Sequence, residues 1–315
     1  MPKFSDDLSR AVRHQMLDPE FIRGMAPTGR IFWVIPTSHT NYVNFVAEHP
    51  AYEDGVASCY STIQAALDAC VTQRDDYVVV VPGVNFTLAA ALTMTKSRVH
   101  LICPSGIRGE GAQGDVAITQ GVAADLITVT GYHCEIAGFV LHGYRGEDII
   151  DIGTTWNVNI HHNYFAMSAT AGSNNYGVIG TDVIEGCVHH NVFNNYHPGA
   201  VSGTDNDIAG FIQFATGGTM RGAITDNLCM TGVNTAVAYG IAVCGMQTTI
   251  ARNYVIEDQS HASAEKGTLT IGIYAANSNF VVDNRVGIET AADAIIQMDA
   301  DLAVENWGIG ATQLV

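Results

Sequence analysis

Six times in the second half of this chain an apolar residue is followed three positions later by Asn, and then by further apolar residues. The units are Ile160-His-His-Asn163, Val188-His-His-Asn191, Ile224-Thr-Asp-Asn227, Ile250-Ala-Arg-Asn253, Val281-Val-Asp-Asn284 and Ala303-Val-Glu-Asn306. Successive Asn residues stand 28, 36, 26, 31 and 22 positions apart. A recurring unit of this length, rich in Val and Ile and punctuated by Gly and Asn, predicts an all-β solenoid, because one coil can bury its apolar face only by stacking on the next. Unequal spacing fits this, since strands must match from coil to coil while loops need not. At a tight turn Asn tolerates left-handed backbone angles and its amide can bond neighbouring backbone. Stacked turns therefore predict an internal ladder of Asn163, Asn191, Asn227, Asn253, Asn284 and Asn306.

Residues 1–28 read as an arm. Ser5 can cap a helix over 4–16, Asp6 and Asp7 suit its positive end, and Phe4, Leu8, Val12 and Met16 recur every fourth residue. A second short turn runs from Asp18-Pro19 to Gly24. The segment has too little apolar content for a core of its own, so it must lie on something. Residues 29–98 read as a lead-in strand at 31–35, a polar and aromatic loop to about Gly55, a helix opened by the capping box Ser61-Thr-Ile-Gln64, and a buried strand at 77–81 closed by Pro82-Gly83. That helix, with Ile63, Ala66, Leu67 and Cys70 on one face, is expected to plug the open first coil. Residues 99–315 form the coils proper, with leading strands near 126–129, 149–152, 178–179, 211–214, 241–244, 273–276 and 295–298. Roughly eight coils rising about 4.8 Å each make a rod of about 40 Å. Polar, Gly-rich inserts at 168–176, 196–208 and 257–268 are expected to project from one side.

The chain is 47% hydrophobic and only 14% charged, against about 25% charged in a typical domain. So few charges on the wall of a rod predict that some walls are buried against other chains. The net charge of −17 is unevenly placed: residues 1–30 hold five Lys/Arg against four Asp/Glu, leaving about −18 for the rest. An acidic body argues against nucleic acid and anionic membrane as partners. The seven Cys sit in apolar runs without a CxxC pair, and read as small buried hydrophobes of a reducing compartment. The first residues lack an apolar signal core and no window approaches 18 uninterrupted apolar residues, so neither a standard leader nor a membrane span is expected.

Tyr60-Ser-Thr-Ile-Gln-Ala-Ala-Leu-Asp-Ala-Cys70, followed by Tyr77-Val-Val-Val-Val-Pro-Gly83, resembles the start of pectate-lyase-like right-handed parallel β-helices. That group includes polysaccharide lyases, epimerases, phage tailspikes and other virion proteins. Gly29-Arg-Ile-Phe-Trp-Val34 resembles a subset common in phage and environmental viral genomes. The resemblance covers residues 29–315 and implies a right-handed parallel β-helix; one scaffold of this kind hosts many activities.

A lyase of this group would need acids that hold a cation, plus a base; a tailspike hydrolase would need two carboxylates about 5–9.5 Å apart. Strand alternation places Ile150 and Ile152 inward with Asp151 outward, Ile212 and Phe214 inward with Gln213 outward, and Ile296 and Met298 inward with Gln297 outward. With Thr128 in an earlier coil, that column offers one carboxylate. Asp205 and Asp207, in a projecting insert, complete the candidates should the chain be an enzyme; they supply too few ligands for a calcium loop. Asp299 and Asp301 read as surface charge. Asp226, Asp283 and Glu305 each precede a ladder Asn and mark a solvated edge on which Arg252 could pair. His161-His162 and His189-His190 fall at matching positions in adjacent coils. They read as polar residues stacked at a bend, the sharper alternative being four imidazoles around a metal.

The reading these features favour is a virion structural protein, a capsid decoration or tail-associated β-helix without catalysis, metal or cofactor. It would be a homo-oligomer, a trimer, made in the host cytoplasm and docked on a capsid or tail protein. Phe4, Leu8, Val12, Met16, Phe21 and Ile22 would supply the apolar contacts, and Arg10 and Arg13, with Arg23, would meet acidic surface. The alternatives are a polysaccharide-degrading tailspike or lyase, and a surface protein that binds host glycan.

Overall fold

Strands of alternating pattern, one face Val and Ile and the other polar or small, wind from Asp76 onward into stacked coils. A computed structural model describes residues 29–105, 116–143, 147–167, 175–195, 208–215, 220–231, 236–257, 268–287, 296–298, 302–304 and 307–309. The whole arm lies outside them, as do Asp205, Asp207, Asp299, Asp301 and Asn306.

One coil shows the plan. Asn159–His161 lies in sheet A, Tyr164–Met167 in sheet B, Tyr176–Gly180 in sheet C, and a short strand at Val183–Ile184 leads back to sheet A at Cys187–His189. Among the described residues sheets A, B and C contain 11, 9 and 8 strands, and every pairing within them is parallel. This is a right-handed parallel β-helix, the hand that right-twisted strands favour in parallel crossovers. The sequence-predicted leading strands are those of sheet C. Their later members run longer than expected, as at Ile208–Phe214, Ala236–Val243 and Thr268–Ala275.

Register keeps like over like inside. Ile160, Val188, Ile224, Ile250 and Val281 pair in one column of sheet A and are fully buried. Removing each from water contributes about 1.5–3 kcal/mol. Phe165 and Phe193 stack in sheet B at 4.3 Å between centroids. The Phe214 ring lies against Gly180, Gly186 and Gly222, where a Cβ on Gly180 would come within 2.9 Å of it.

The corner between sheets A and B has constant length: from Ala137 onward two residues separate the strands in every coil. The second of them is the repeat Asn at 163, 191, 227, 253 and 284. The left-handed residue is the one before it: Gly138, His162, His190, Asp226, Arg252 and Asp283 all have positive φ. The expectation that Asn itself takes the left-handed angle is therefore corrected. The Asn points inward instead, where its amide serves the preceding coil. Asn163 Oδ1 accepts from Phe139 N–H at 3.1 Å. Asn191 Oδ1 accepts from Asn163 N–H at 3.0 Å, Asn227 Oδ1 from Asn191 N–H at 3.1 Å, Asn253 Oδ1 from Asn227 N–H at 3.1 Å, and Asn284 Oδ1 from Asn253 N–H at 3.0 Å. Each Nδ2 donates to a carbonyl of the preceding coil, beginning with Ile136 and Ile160. These five side chains are at most 1% exposed, and their polar atoms are paired.

The lead-in strand Ile31–Val34 extends sheet A beyond the first coil. Helix Ile63–Ala69 packs Ile63, Ala66 and Leu67 into the same core as Phe32, Val34 and Leu92. Its cap is Thr62, whose Oγ1 accepts from Ala65 N–H at 3.3 Å, rather than Ser61. Gln64 does not close a capping box; its Oε1 accepts from Thr93 N–H at 2.9 Å and ties the helix to sheet C. Buried Asp76 accepts from the backbone of Arg30 and Val71 and from the Arg74 guanidinium, all within 2.8 Å. The expected loop after Ile35 contains a helix, Tyr42–Glu48. Trp33 points outward from sheet A, and Phe45 and His49 cover it at 5.5 and 5.0 Å.

Candidate functional site

Sheet A presents a row of ionisable groups on its outer face. Register brings His100, Glu135 and Asn159 into one outward column and His161 and His189 into the next. Glu135 is gripped from both sides, Oε2 by His100 Nδ1 and Oε1 by His161 Nε2, each at 2.7 Å. Burial alone would raise this carboxyl, but the hydrogen bonds from His100 and His161, with their charge when protonated, hold it at about 2.

The two His pairs form a square array. Within a coil Nδ1 meets Nδ1 at 2.8 Å, His161 with His162 and His189 with His190. Between coils His161 stacks on His189 at 5.0 Å and His162 on His190 at 5.1 Å, both within 5° of parallel. Asn159 Oδ1 accepts from His189 Nε2 at 2.9 Å, so His189 Nδ1 is an acceptor in its neutral ring and His190 Nδ1 carries the proton between them. Burial, then the neighbouring imidazoles, push His189 down to about 4 and His162 below its ordinary value. The rings satisfy one another and do not converge on a point. Among the described residues no group of three or more His, Cys, Asp or Glu could hold a metal ion.

Other charges on this side pair along the axis too. Arg252 grips Asp226 at 2.7 Å, Arg98 grips Asp75 at 2.5–2.6 Å, and Arg221 reaches Glu185 at 3.3 Å. An open groove of about 380 Å³ lies among Asp75, Arg98, His100, His133, Glu135, Asn157 and Asn159.

The second cluster lies on sheet C. The outward column there reads Thr93, Thr128, Asp151, Ile179, Gln213, Ala242 and Tyr274. Ile179, Ala242 and Tyr274 fill the coils between the residues read from the sequence, and among the described residues Asp151 is the one carboxylate of the column. Asp151 does not stand alone, however. Asp125 and Asp148 sit at equivalent places ahead of the paired strands Ile127–Val129 and Ile150–Ile152. Asp125 Oδ1 accepts from Asp148 N–H at 3.2 Å, and Asp148 Oδ1 from Tyr176 N–H at 2.6 Å. Burial first, then the charges of Asp125 and Asp151, pushes Asp148 up to about 7; burial also raises Asp125 and Asp151. A carboxyl that keeps its proton near neutrality can donate or take a proton. The signal for it was present as Asp125-Leu-Ile-Thr-Val and Asp148-Ile-Ile-Asp-Ile, a repeat overshadowed by the Asn units.

No protein-family model matches the chain, and no curated protein matches it in sequence. Among solved structures, it is similar to an alginate lyase from Paenibacillus sp. str. FPU-7, with 12% identity over 78% of this chain and 92% of that one and a TM-score of 0.48. It is similar to pectate lyase Pel9A, with 13% identity over 89% and 70% and a TM-score of 0.44. It is also similar to the tailspike of Escherichia coli bacteriophage HK620, solved with a pentasaccharide, at 11% identity over 97% and 69% with a TM-score of 0.45. Likeness at this level carries no argument about activity. The class that the chain's own topology defines is the single-chain right-handed parallel β-helix. Among the described residues no helix is long and apolar enough to cross a membrane.

Proposed function

We propose that this chain is a structural protein of a virion: a β-helical capsid decoration or tail-associated rod, trimeric, docked through residues 1–28 and without chemistry of its own. The observation that carries this reading is where the wall's ionisable groups are engaged. Glu135, His161, His189, Arg98, Arg221 and Arg252 each bind a side chain one coil above or below. Such pairs fasten coil to coil, and a rod that must stay rigid outside a particle uses its charges this way. The viral resemblance of residues 29–34 and the arm with its own charge balance support the same reading. The test is co-sedimentation of the full chain with particles of the phage that encodes it. The wild type should pellet with them, and a variant carrying Leu8→Asp, Val12→Asp and Met16→Asp should stay in the supernatant. Wild type that never pellets rejects the virion role; a variant that pellets equally rejects the arm as anchor.

One observation favours a second reading, a polysaccharide-active protein: the Asp125, Asp148 and Asp151 cluster with a proton held near neutrality. Incubation with acidic polysaccharides, with and without calcium, should then release oligosaccharides with wild type and not with Asp151→Asn. No release from any of them removes this reading.

A further inference from the structure

The turn that leads from sheet C back to sheet A carries aromatic rings in two successive coils. Tyr132 and Trp156 lie there with ring centroids 5.2 Å apart. In the next coil the place of Trp156 is taken by Ile184, its strand partner. Trp156 is 48% exposed, so a large flat apolar face stands in water beside an indole N–H. The residue after each ring, His133 and Asn157, has positive φ, and both line the open groove of about 380 Å³ beside sheet A. His133 joins the two features, since it also meets the Tyr132 ring edge-on at 5.5 Å.

Within the groove the charges already have partners. Arg98 is held by Asp75, and Glu135 by His100 and His161. An ionic ligand would have to displace one of them, and an anion would also meet a chain of −17. What remains open is neutral. Asn157 engages Glu185 through Nδ2, which leaves its Oδ1 to accept, and Asn159 engages His189 through Oδ1, which leaves its Nδ2 to donate. Among the described residues the His133 ring has only the Tyr132 edge as a partner, so its nitrogens face the groove unbonded.

We infer that this groove, with Trp156 at its rim, binds a neutral saccharide. A pyranose has an apolar face of C–H bonds that lies flat on an indole, and a rim of hydroxyls that both donate and accept. The groove offers the complement: a flat ring on one side, and amide and imidazole groups of both polarities on the other. Sites for small ligands run from about 300 to 1,000 Å³, so a short oligosaccharide has room. The site lies on a different wall from Asp148 and Asp151 and involves no chemistry, so it goes beyond both readings of the proposed function.

The test is binding of the full chain to immobilised neutral oligosaccharides built of glucose, mannose, galactose, rhamnose and N-acetylglucosamine, with uronate oligosaccharides beside them. Those that bind are then titrated by calorimetry. A neutral oligosaccharide should bind with a Kd of about 1 mM or tighter, and Trp156→Ile should weaken it about tenfold or more. That variant takes the residue found at the paired position of the next coil, so circular dichroism should be unchanged while the flat ring is lost. Should it fail to fold, His133→Asn, which takes the residue of the equivalent left-handed place at 157, should weaken binding to a similar extent. Trp156→Phe should retain most of the affinity, and Tyr254→Ala, which removes an exposed ring of sheet B, all of it. The inference is overturned if no neutral oligosaccharide binds, if uronates bind more tightly, or if Trp156→Ile folds and binds as wild type does. Equal losses in Trp156→Phe or in Tyr254→Ala would overturn it as well. A chain that binds no sugar yet pellets with particles would remove this site and leave the virion role standing.

Discussion

Replacing Asn227 tests the ladder where it is most enclosed. The side chain is 1% exposed. Its Oδ1 accepts from the backbone N–H and from the Nδ2 of Asn191, each at 3.1 Å, and its Nδ2 donates to Val188 O at 2.9 Å and Asn253 Oδ1 at 3.0 Å. In Asn227→Ala the Asn191 N–H loses its acceptor and the Val188 carbonyl loses a donor. The Asn191 Nδ2 keeps the carbonyls of Ile160 and His189 and is not counted. At about 1–3 kcal/mol for each buried group left unmade, the two together should cost about 3–4 kcal/mol once the corner relaxes. Asn227→Asp asks for the sign. Its carboxyl would face two acceptors, Val188 O and Asn253 Oδ1, so the protonated form is favoured and the folded pKa rises above about 3.9. A raised folded pKa in an acid destabilises above the unfolded value, so the deficit against wild type should grow from pH 4 to pH 8. Urea unfolding at both pH values, with the exposed-pair control Asp226→Asn expected to cost less than about 1 kcal/mol, reads both effects. An Ala variant within about 1 kcal/mol of wild type, or an Asp deficit indifferent to pH, would refute the reasoning.

Two further outcomes depend on titration. His189 is held down at about 4 by burial and its stacked neighbours, below an ordinary value of about 6.5. The unfolded chain therefore takes the proton first, and stability should fall as pH drops through that window, by up to about 2 kcal/mol from this ring after discounting for solvent. In melting curves at pH 7 and pH 5, His189→Gln should narrow the gap seen in wild type, and an equal gap would reject the assignment. Asp148 is pushed up to about 7, so as an acid it destabilises progressively from about pH 4 to pH 7. Asp148→Asn should raise the urea midpoint at pH 8 and leave it nearly unchanged at pH 4; the same shift at both would mean that its charge is not the cause.

The solenoid was legible because its cause is periodic. Ile160, Val188, Ile224 and their partners must recur once per coil to stack, and the Asn that follows must recur with them. The helix Tyr42–Glu48 was not legible, because it forms to cover Trp33, a contact set by tertiary packing rather than by an apolar stripe of its own. The left-handed position was misplaced by one residue. His162, His190, Asp226 and Arg252 share no chemistry, since that position constrains the backbone and not the side chain. The acids at 125 and 148 were missed for another reason. They acquire meaning only when sheet C registers one coil on the next, and coils of unequal length hide that register.

Between sheets B and C the chain treats length quite differently from the two-residue corner. Strands end at Met167, Asn195, Thr231 and Ile256, and resume at Tyr176, Ile208, Ala236 and Thr268. Eight, twelve, four and eleven residues intervene, with no change in how the coils before and after register. Added residues there cost little more than loop-closure entropy, which grows slowly with length. One edge of the molecule is thus free to vary while the pitch stays fixed. Foreign peptides grafted into that edge would be displayed at intervals of about 4.8 Å along a common line, a spacing set by backbone hydrogen bonds and indifferent to what is displayed.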